Sequence, residues 1–240
     1  MLNIKTTDNI QEGGDSLGGF KVWESDAYEA LVKVVYLGAA KSGAQFAGIH
    51  LTIDGKEYRE QVYFTNKAGE NYYTKDGKAY ELPGFQTINE LCLMPTGVGL
   101  MDGQNVEEKI VKLYDSETKG ETNQSVPVLV DLLNKPVVVG ILIEIVNKQK
   151  KNESTGNYED IAEKSEQNQI NKFYQHETQG TATEKKKDLK LGTFFEEWVN
   201  QNKGNTRDRY KEPTANGSAP GRPGQAGGQQ QAAKSLFNRS

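Results

Sequence analysis

Residues 27–37 are rich in Val, Leu and Tyr without helical spacing, and predict a long strand. After a small-residue loop over 38–43, two extended segments at 45–53 and 56–64 flank Asp54-Gly55, a dipeptide suited to a two-residue type I′ hairpin turn. Asp76-Gly77 repeats the signal between Tyr72-Tyr73-Thr74 and Lys78-Ala79-Tyr80, and predicts a smaller inserted hairpin. Thr87-Ile88-Asn89-Glu90 has capping-box spacing and predicts a short helix ending before Pro95. Strands are expected at 106–114 and at 137–147, the most β-branched run and hence a central strand. Between them, 127–133 predicts one or two helical turns opened by Pro127 and closed by Pro136. Residues 148–156 read as a charged hairpin tip with 158–161 returning along it, and 163–192 are polar and poorly patterned. Phe194, Phe195, Trp198 and Val199 form a helical stripe over 193–202.

Five or six core strands with one intervening helix suit a mainly β fold, an OB-fold-like antiparallel barrel with an inserted hairpin and short helices. Three segments are expected: a mobile N-terminal arm at 1–19, a β-barrel domain with a helical extension at 20–202, and a disordered tail at 203–240. The tail holds six Gly, three Pro and four Gln, a composition that cannot offset its ordering entropy.

Composition narrows the chemistry. One cysteine, Cys92, and two histidines among 240 residues exclude a disulfide framework and a zinc finger. There is no Walker A motif, EF-hand loop or G-x-S-x-G elbow, so neither a cofactor nor a metal is expected and the sequence argues against an enzyme. The longest apolar stretch, 137–146, is too short to span a bilayer and no signal-peptide run opens the chain; a soluble protein of a reducing compartment is expected, with no membrane partner. The net charge of −4 conceals an asymmetry: residues 203–240 carry +5, leaving −9 on residues 1–202. An anionic partner of the body would have to be met by a local patch.

The aromatic residues supply that patch. Twelve of the 21 lie between Phe20 and Phe85. With Asp54-Gly55 as the turn, Ile49, Leu51, Ile53, Tyr58, Val62 and Phe64 share the core face, while Phe46 opposes Tyr63 and His50 opposes Arg59 on the other. Aromatic rings beside cations are what a single nucleic-acid strand requires: bases stack on rings while cations hold phosphates. Lys33, Lys56, Lys67 and Lys75 would extend the track, and Tyr72 and Tyr73 would clamp a strand from the inserted hairpin. A protein-binding face, or plain cross-strand packing, is the other reading of the same residues.

Glu24-Ser25-Asp26-Ala27-Tyr28, Ala40-Lys41-Ser42-Gly43-Ala44, Gly55-Lys56-Glu57-Tyr58-Arg59-Glu60 and Thr65-Asn66-Lys67-Ala68-Gly69, with Leu82-Pro83-Gly84-Phe85 and the terminal Lys234-Ser235-Leu236-Phe237, occur in an order that resembles the single-stranded-DNA-binding proteins of tailed bacteriophages of podovirus type. The resemblance implies an OB-fold that coats single strands during replication, recombination and repair in the cytoplasm of an infected bacterium. It places Tyr58, Arg59, Asn66, Lys67 and Tyr72 in the matching segments, although alternation assigns Tyr58 to the core. It also implies a tail that recruits replication or transcription partners. Many such proteins end in an acidic tip with a terminal Phe; here Phe237 is followed by Asn-Arg-Ser and the tail is basic. Leu236 and Phe237, flanked by Lys234 and Arg239, remain the expected partner anchor, and a transcription cofactor that recruits an RNA polymerase is the alternative. A phage structural barrel is a third reading.

Overall fold

A computed structural model of the chain describes residues 22–115, 117–153, 156 and 158–212. The expected arm at 1–19 and the partner anchor Lys234, Leu236, Phe237 and Arg239 lie outside the described residues.

The fold is mainly β. Strand β1 (Asp26–Ala39) is followed by the hairpin β2 (Gln45–Ile53) and β3 (Lys56–Tyr63). The small hairpin β4 (Tyr72–Lys75) and β5 (Lys78–Glu81) forms a two-stranded sheet of its own. Asp54-Gly55 and Asp76-Gly77 turn with φ of 48° and 74°, and 50° and 72°, the paired positive φ of the type I′ geometry. Helix α1 (Pro83–Thr96) comes next, then the hairpin β6 (Val106–Asp115) and β7 (Gly120–Leu129). A single 3-10 turn (Val130–Leu132) leads into the long pair β8 (Pro136–Lys151) and β9 (Tyr158–Tyr174). Helices α2 (Ala182–Lys186) and α3 (Thr193–Asn202) and a short strand β10 (Thr206–Asp208) complete the described chain.

β1 organises the main sheet because it is long enough to serve three neighbours. Its second half pairs with β2, its first half with β8, and Tyr36 pairs with Val128 of β7. The sheet thus runs β3-β2-β1-β8-β9, with β10 beside β8. Buried Val32, Val35, Ile49, Leu51, Ile53, Val137, Val139, Ile141 and Phe173 line its inner face. α1 closes that face with Phe85, Ile88, Leu91 and Cys92. α3 packs outside it: the Trp198 indole takes the space that a side chain on Gly140 would fill, and its Nε1 donates to Asn171 Oδ1 at 2.7 Å.

Among the described residues β3 and β9 share no backbone ladder, so the sheet is not closed. One carboxylate spans the gap. Glu60 Oε2 accepts from Tyr58 Oη at 2.5 Å and from the Ile170 backbone N–H of β9 at 2.7 Å. Burial raises the Glu60 carboxyl to about 7 from its ordinary 4.5. A carboxyl with a raised folded-state pKa contributes stability that is fully present below about 4.5 and is lost as pH rises through about 7. Glu60→Gln keeps the shape and an acceptor oxygen. It is expected to exceed the native protein in stability at pH 8 by on the order of 2 kcal/mol and to match it near pH 4, as read by urea unfolding at both pH values.

Several elements depart from expectation. α1 begins one turn early at Pro83, where a proline needs no hydrogen-bond partner, and the Thr87 hydroxyl donates back to Pro83 O rather than capping. Pro95 lies inside the last turn, and Gly97, at φ 75°, ends the helix. The helical turns expected at 127–133 reduce to the 3-10 turn, because Pro127 belongs to β7. The poorly patterned stretch 163–192 carries β9 to Tyr174 and then α2.

The expected disordered tail does not start at 203. Residues 203–212 form a strap: Gly204 N–H donates to Ser25 O, β10 runs parallel to β8, and Lys211 exchanges two hydrogen bonds with Asn147. Arg209 reaches Glu144, which is 2% exposed, at 3.1 Å, so the strap neutralises a carboxylate the sheet has buried.

Candidate nucleic-acid interface

The β2–β3 register matches the sequence expectation at every pair: Phe46 opposes Tyr63, Gly48 opposes Gln61, His50 opposes Arg59 and Thr52 opposes Glu57. Ile49, Leu51, Ile53, Tyr58 and Phe64 are buried on the other side and Val62 packs against them, so Tyr58 is a core residue. The outer face extends onto β1, where Val34 opposes His50, Tyr36 opposes Gly48 and Gly38 opposes Phe46.

Large side chains on this face lie over small ones. The end of the Tyr36 ring occupies the space that a Cβ on Gly48 would fill, 2.1 Å from its Cζ, and the Phe46 ring does the same at Gly38, 2.4 Å away. The strand glycines are therefore seats for rings. Tyr36, Phe46 and Tyr63 form a run in which neighbouring centroids lie 6.3 and 5.6 Å apart, edge to face. All three are half-buried, fixed on one side and open on the other. Partial burial raises the phenol pKa of Tyr36 and of Tyr63, so both rings are neutral at physiological pH.

The other end of the face is charged. Arg59 donates to Glu57 of its own strand and to Glu121 of β7, both at 2.7 Å. Lys33 pairs with Glu57 at 3.0 Å and Lys112 of β6 with Glu121 at 3.3 Å. Burial pushes the Glu57 carboxyl up, but hydrogen bonds from Arg59 and Lys33 outweigh it and hold the group below its ordinary value. Glu121 is held low by Arg59 first and Lys112 second. Three cations thus meet two carboxylates, with one positive charge in excess.

His50 does not contact solvent as expected: it is 5% exposed, under the edge of Tyr36 at 5.8 Å between centroids. Burial, then Arg59, lowers its pKa, so the imidazole is neutral and supports the site from beneath. Lys56 also leaves the set. It opposes Ile53 and so belongs to the core-facing row, exposed at the turn on the side away from Arg59. Lys33 stays on the face, though engaged by Glu57.

Lys67 sits exposed in a loop that Asn66 shapes by accepting from the N–H groups of Ala68 and Glu70. The Lys67 carbonyl abuts Gly43 of the β1–β2 turn. Tyr72, Tyr73 and Lys75 lie on β4–β5, where Tyr73 stacks on Tyr80 at 5.6 Å and Tyr72 is 40% exposed. Both ends of this hairpin are tied near Tyr63: Leu82 N–H donates to Asn71 O, and Gly84 lies against the Tyr63 carbonyl. The hairpin therefore stems from the aromatic end of the face.

Sequence reasoning missed Tyr36, Lys112 and Glu121. Gly38 and Gly48 inside strands were the available signal for Tyr36, since glycine there marks a close approach. Nothing in the sequence announced that β6–β7 reaches Arg59. Among the described residues no three His, Cys, Asp or Glu side chains come together to hold a metal, and no helix is long and apolar enough to cross a membrane. A scan against models of known protein families finds no match, and neither does a search of curated protein sequences.

Proposed function

We propose that this chain is a sequence-nonspecific single-stranded-DNA-binding protein whose contact face is the outer surface of β1–β2–β3. The observation that carries the reading is the run Tyr36–Phe46–Tyr63, half-exposed rings seated over strand glycines and continuous with Lys33, Arg59 and Lys112. Every base offers a π face, so such rings accept any sequence at about 1–3 kcal/mol per stacked base. A duplex hides its bases and gains only the phosphate contacts.

The strand order supports an OB-fold reading. A β1–β2–β3 meander, a helix, and a β8–β9 pair in which β8 returns to β1 make a five-stranded Greek key, with β4–β5 and β6–β7 as insertions. Glu60 bridges the β3–β9 seam where such a barrel would close. In that fold the outer face of the second and third strands takes oligonucleotides, which is the face described here. On this reading the protein coats strands exposed in phage replication, recombination and repair. Residues 213–240, with three cationic side chains and no acidic ones, serve for recruitment of replication or transcription proteins.

Titration with oligo-dT and with a duplex of matching sequence, following tyrosine and tryptophan fluorescence at two salt concentrations, tests the reading. Single-strand-specific quenching that weakens as salt rises is expected. Equal, weak binding of both forms without quenching would refute it.

A further inference from the structure

The carboxylates on the contact face are an obstacle to binding DNA, and their geometry gives them a role. Glu121 belongs to β7, outside the three strands of the face, yet one of its oxygens receives Arg59 Nη1 at 2.7 Å while the other receives Lys112 Nζ at 3.3 Å. A carboxylate between a guanidinium and an ammonium occupies the position of two phosphate oxygens. Arg59, the cation nearest the rings by strand register, has its remaining contact with Glu57. Its donors are thus turned to protein acids while no strand is bound.

We propose that Glu121 is an internal stand-in for a DNA phosphate. It occupies Arg59 and Lys112 in the free protein, and a backbone phosphodiester displaces it, leaving these two cations as the phosphate-binding pair of the site. The inference rests on the proposed function and adds the order of events to it.

Three features make the exchange physically cheap. All three partners are open to solvent, with side-chain exposures of 39% for Arg59, 37% for Glu121 and 66% for Lys112. Exposed ion pairs of this kind contribute little to stability, because water and salt screen them. The released carboxylate passes into water and leaves no buried charge behind. The hairpin does not depend on the contact for its place, because Leu113 is buried on its inner side and Val128 pairs with Tyr36. Contact with Arg59 is therefore separable from the fold. The same contact also disfavours weak anions, which cannot offset its loss by stacking on the rings.

The test compares oligo-dT binding by the full-length protein and by Glu121→Gln over a series of salt concentrations. Glu117→Gln is the charge-matched control: Glu117 lies on the same hairpin, exposed and in no ion pair among the described residues. Glu121→Gln is expected to bind roughly 5-fold more tightly at low salt. Its dependence of log affinity on log salt should match that of the native protein, because the same phosphate meets Arg59 and Lys112 in both complexes. Glu117→Gln should bind as the native protein does, and Arg59→Ala combined with Glu121→Gln should lose the gain. Equal tightening by both glutamine variants would mean a general field effect and would overturn the proposal, as would a salt slope steeper by about 0.7, which would leave Glu121 on its cations in the native complex, or a gain that survives loss of Arg59. Each of those outcomes leaves single-strand binding by the native protein in place. Absence of binding by the native protein would instead remove the proposed function itself and the exchange with it.

Discussion

Alanine at Tyr36, Phe46 and Tyr63 together is expected to weaken oligo-dT binding by at least about 100-fold while the chain stays folded. Each ring offers a stacking surface worth about 1–3 kcal/mol, and about 1.4 kcal/mol is a factor of ten. The three rings are neighbours, so their losses will not add, and two effective stacks already give the stated factor. The inner core is untouched, because its side chains belong to the other row of the alternation, and only His50 beneath Tyr36 loses cover. Stability should fall modestly, since Gly48 and Gly38 lose their covers. Fluorescence titration reports the affinity and circular dichroism melting the fold. Native-like affinity in a folded triple variant would place the DNA elsewhere.

A second large effect is expected at Gly84, in stability. A Cβ at this first turn of α1 would lie 1.9 Å from the Tyr63 carbonyl oxygen, 2.9 Å from its carbon and 3.3 Å from Val62 Cγ1. Unlike the rings over Gly38 and Gly48, a backbone carbonyl in a paired strand cannot swing aside. Overpacking of this kind costs about 3 kcal/mol, at the upper end of the usual range. In a chain of this size that lowers the melting temperature by about 6–12 °C. Gly84→Ala should also weaken oligo-dT binding, because relief of the clash moves the end of β3 that presents Tyr63. Thermal melting and titration of the same sample check both. A variant that melts with the native protein would show that α1 and β3 adjust to each other more freely than their contact implies.

The β2–β3 hairpin was legible because Asp54-Gly55 sets its register, and register with alternation decides which side chains share a face. Phe46, Arg59 and Tyr63 followed from that arithmetic. The same arithmetic places Lys56 opposite Ile53, on the side away from the proposed contact face, and the count of nearby lysines obscures it. His50 was placed on the correct face, but alternation gives direction and not cover, and Tyr36 lies against it. Tyr36 escaped because the register of β1 shifts between Val32 and Val34, which breaks the pattern of two where it would have pointed to the ring.

β7 and most of β9 were illegible for a different reason. Gly120-Glu-Thr-Asn-Gln-Ser carries no apolar alternation, and β9 buries only Ile170, Phe173 and Tyr174 near its end. Each is a strand because its neighbour holds it, through ladders with β6 and with the apolar β8. The strap at 203–212 depends on Arg209 finding Glu144 across 65 positions, a pairing that no local window contains. Composition alone made that segment look like the rest of the tail.

The claim that the rings of β1–β2–β3 stack on bases is tested most directly by photo-cross-linking. Oligo-dT carrying 5-iododeoxyuridine, irradiated in complex with the full-length chain, joins bases to the aromatic side chains they stack on, and peptide mapping identifies the residues. Cross-links at Tyr36, Phe46 or Tyr63 are the predicted result. Cross-links found only in residues 203–240, with none on the face, would contradict the account.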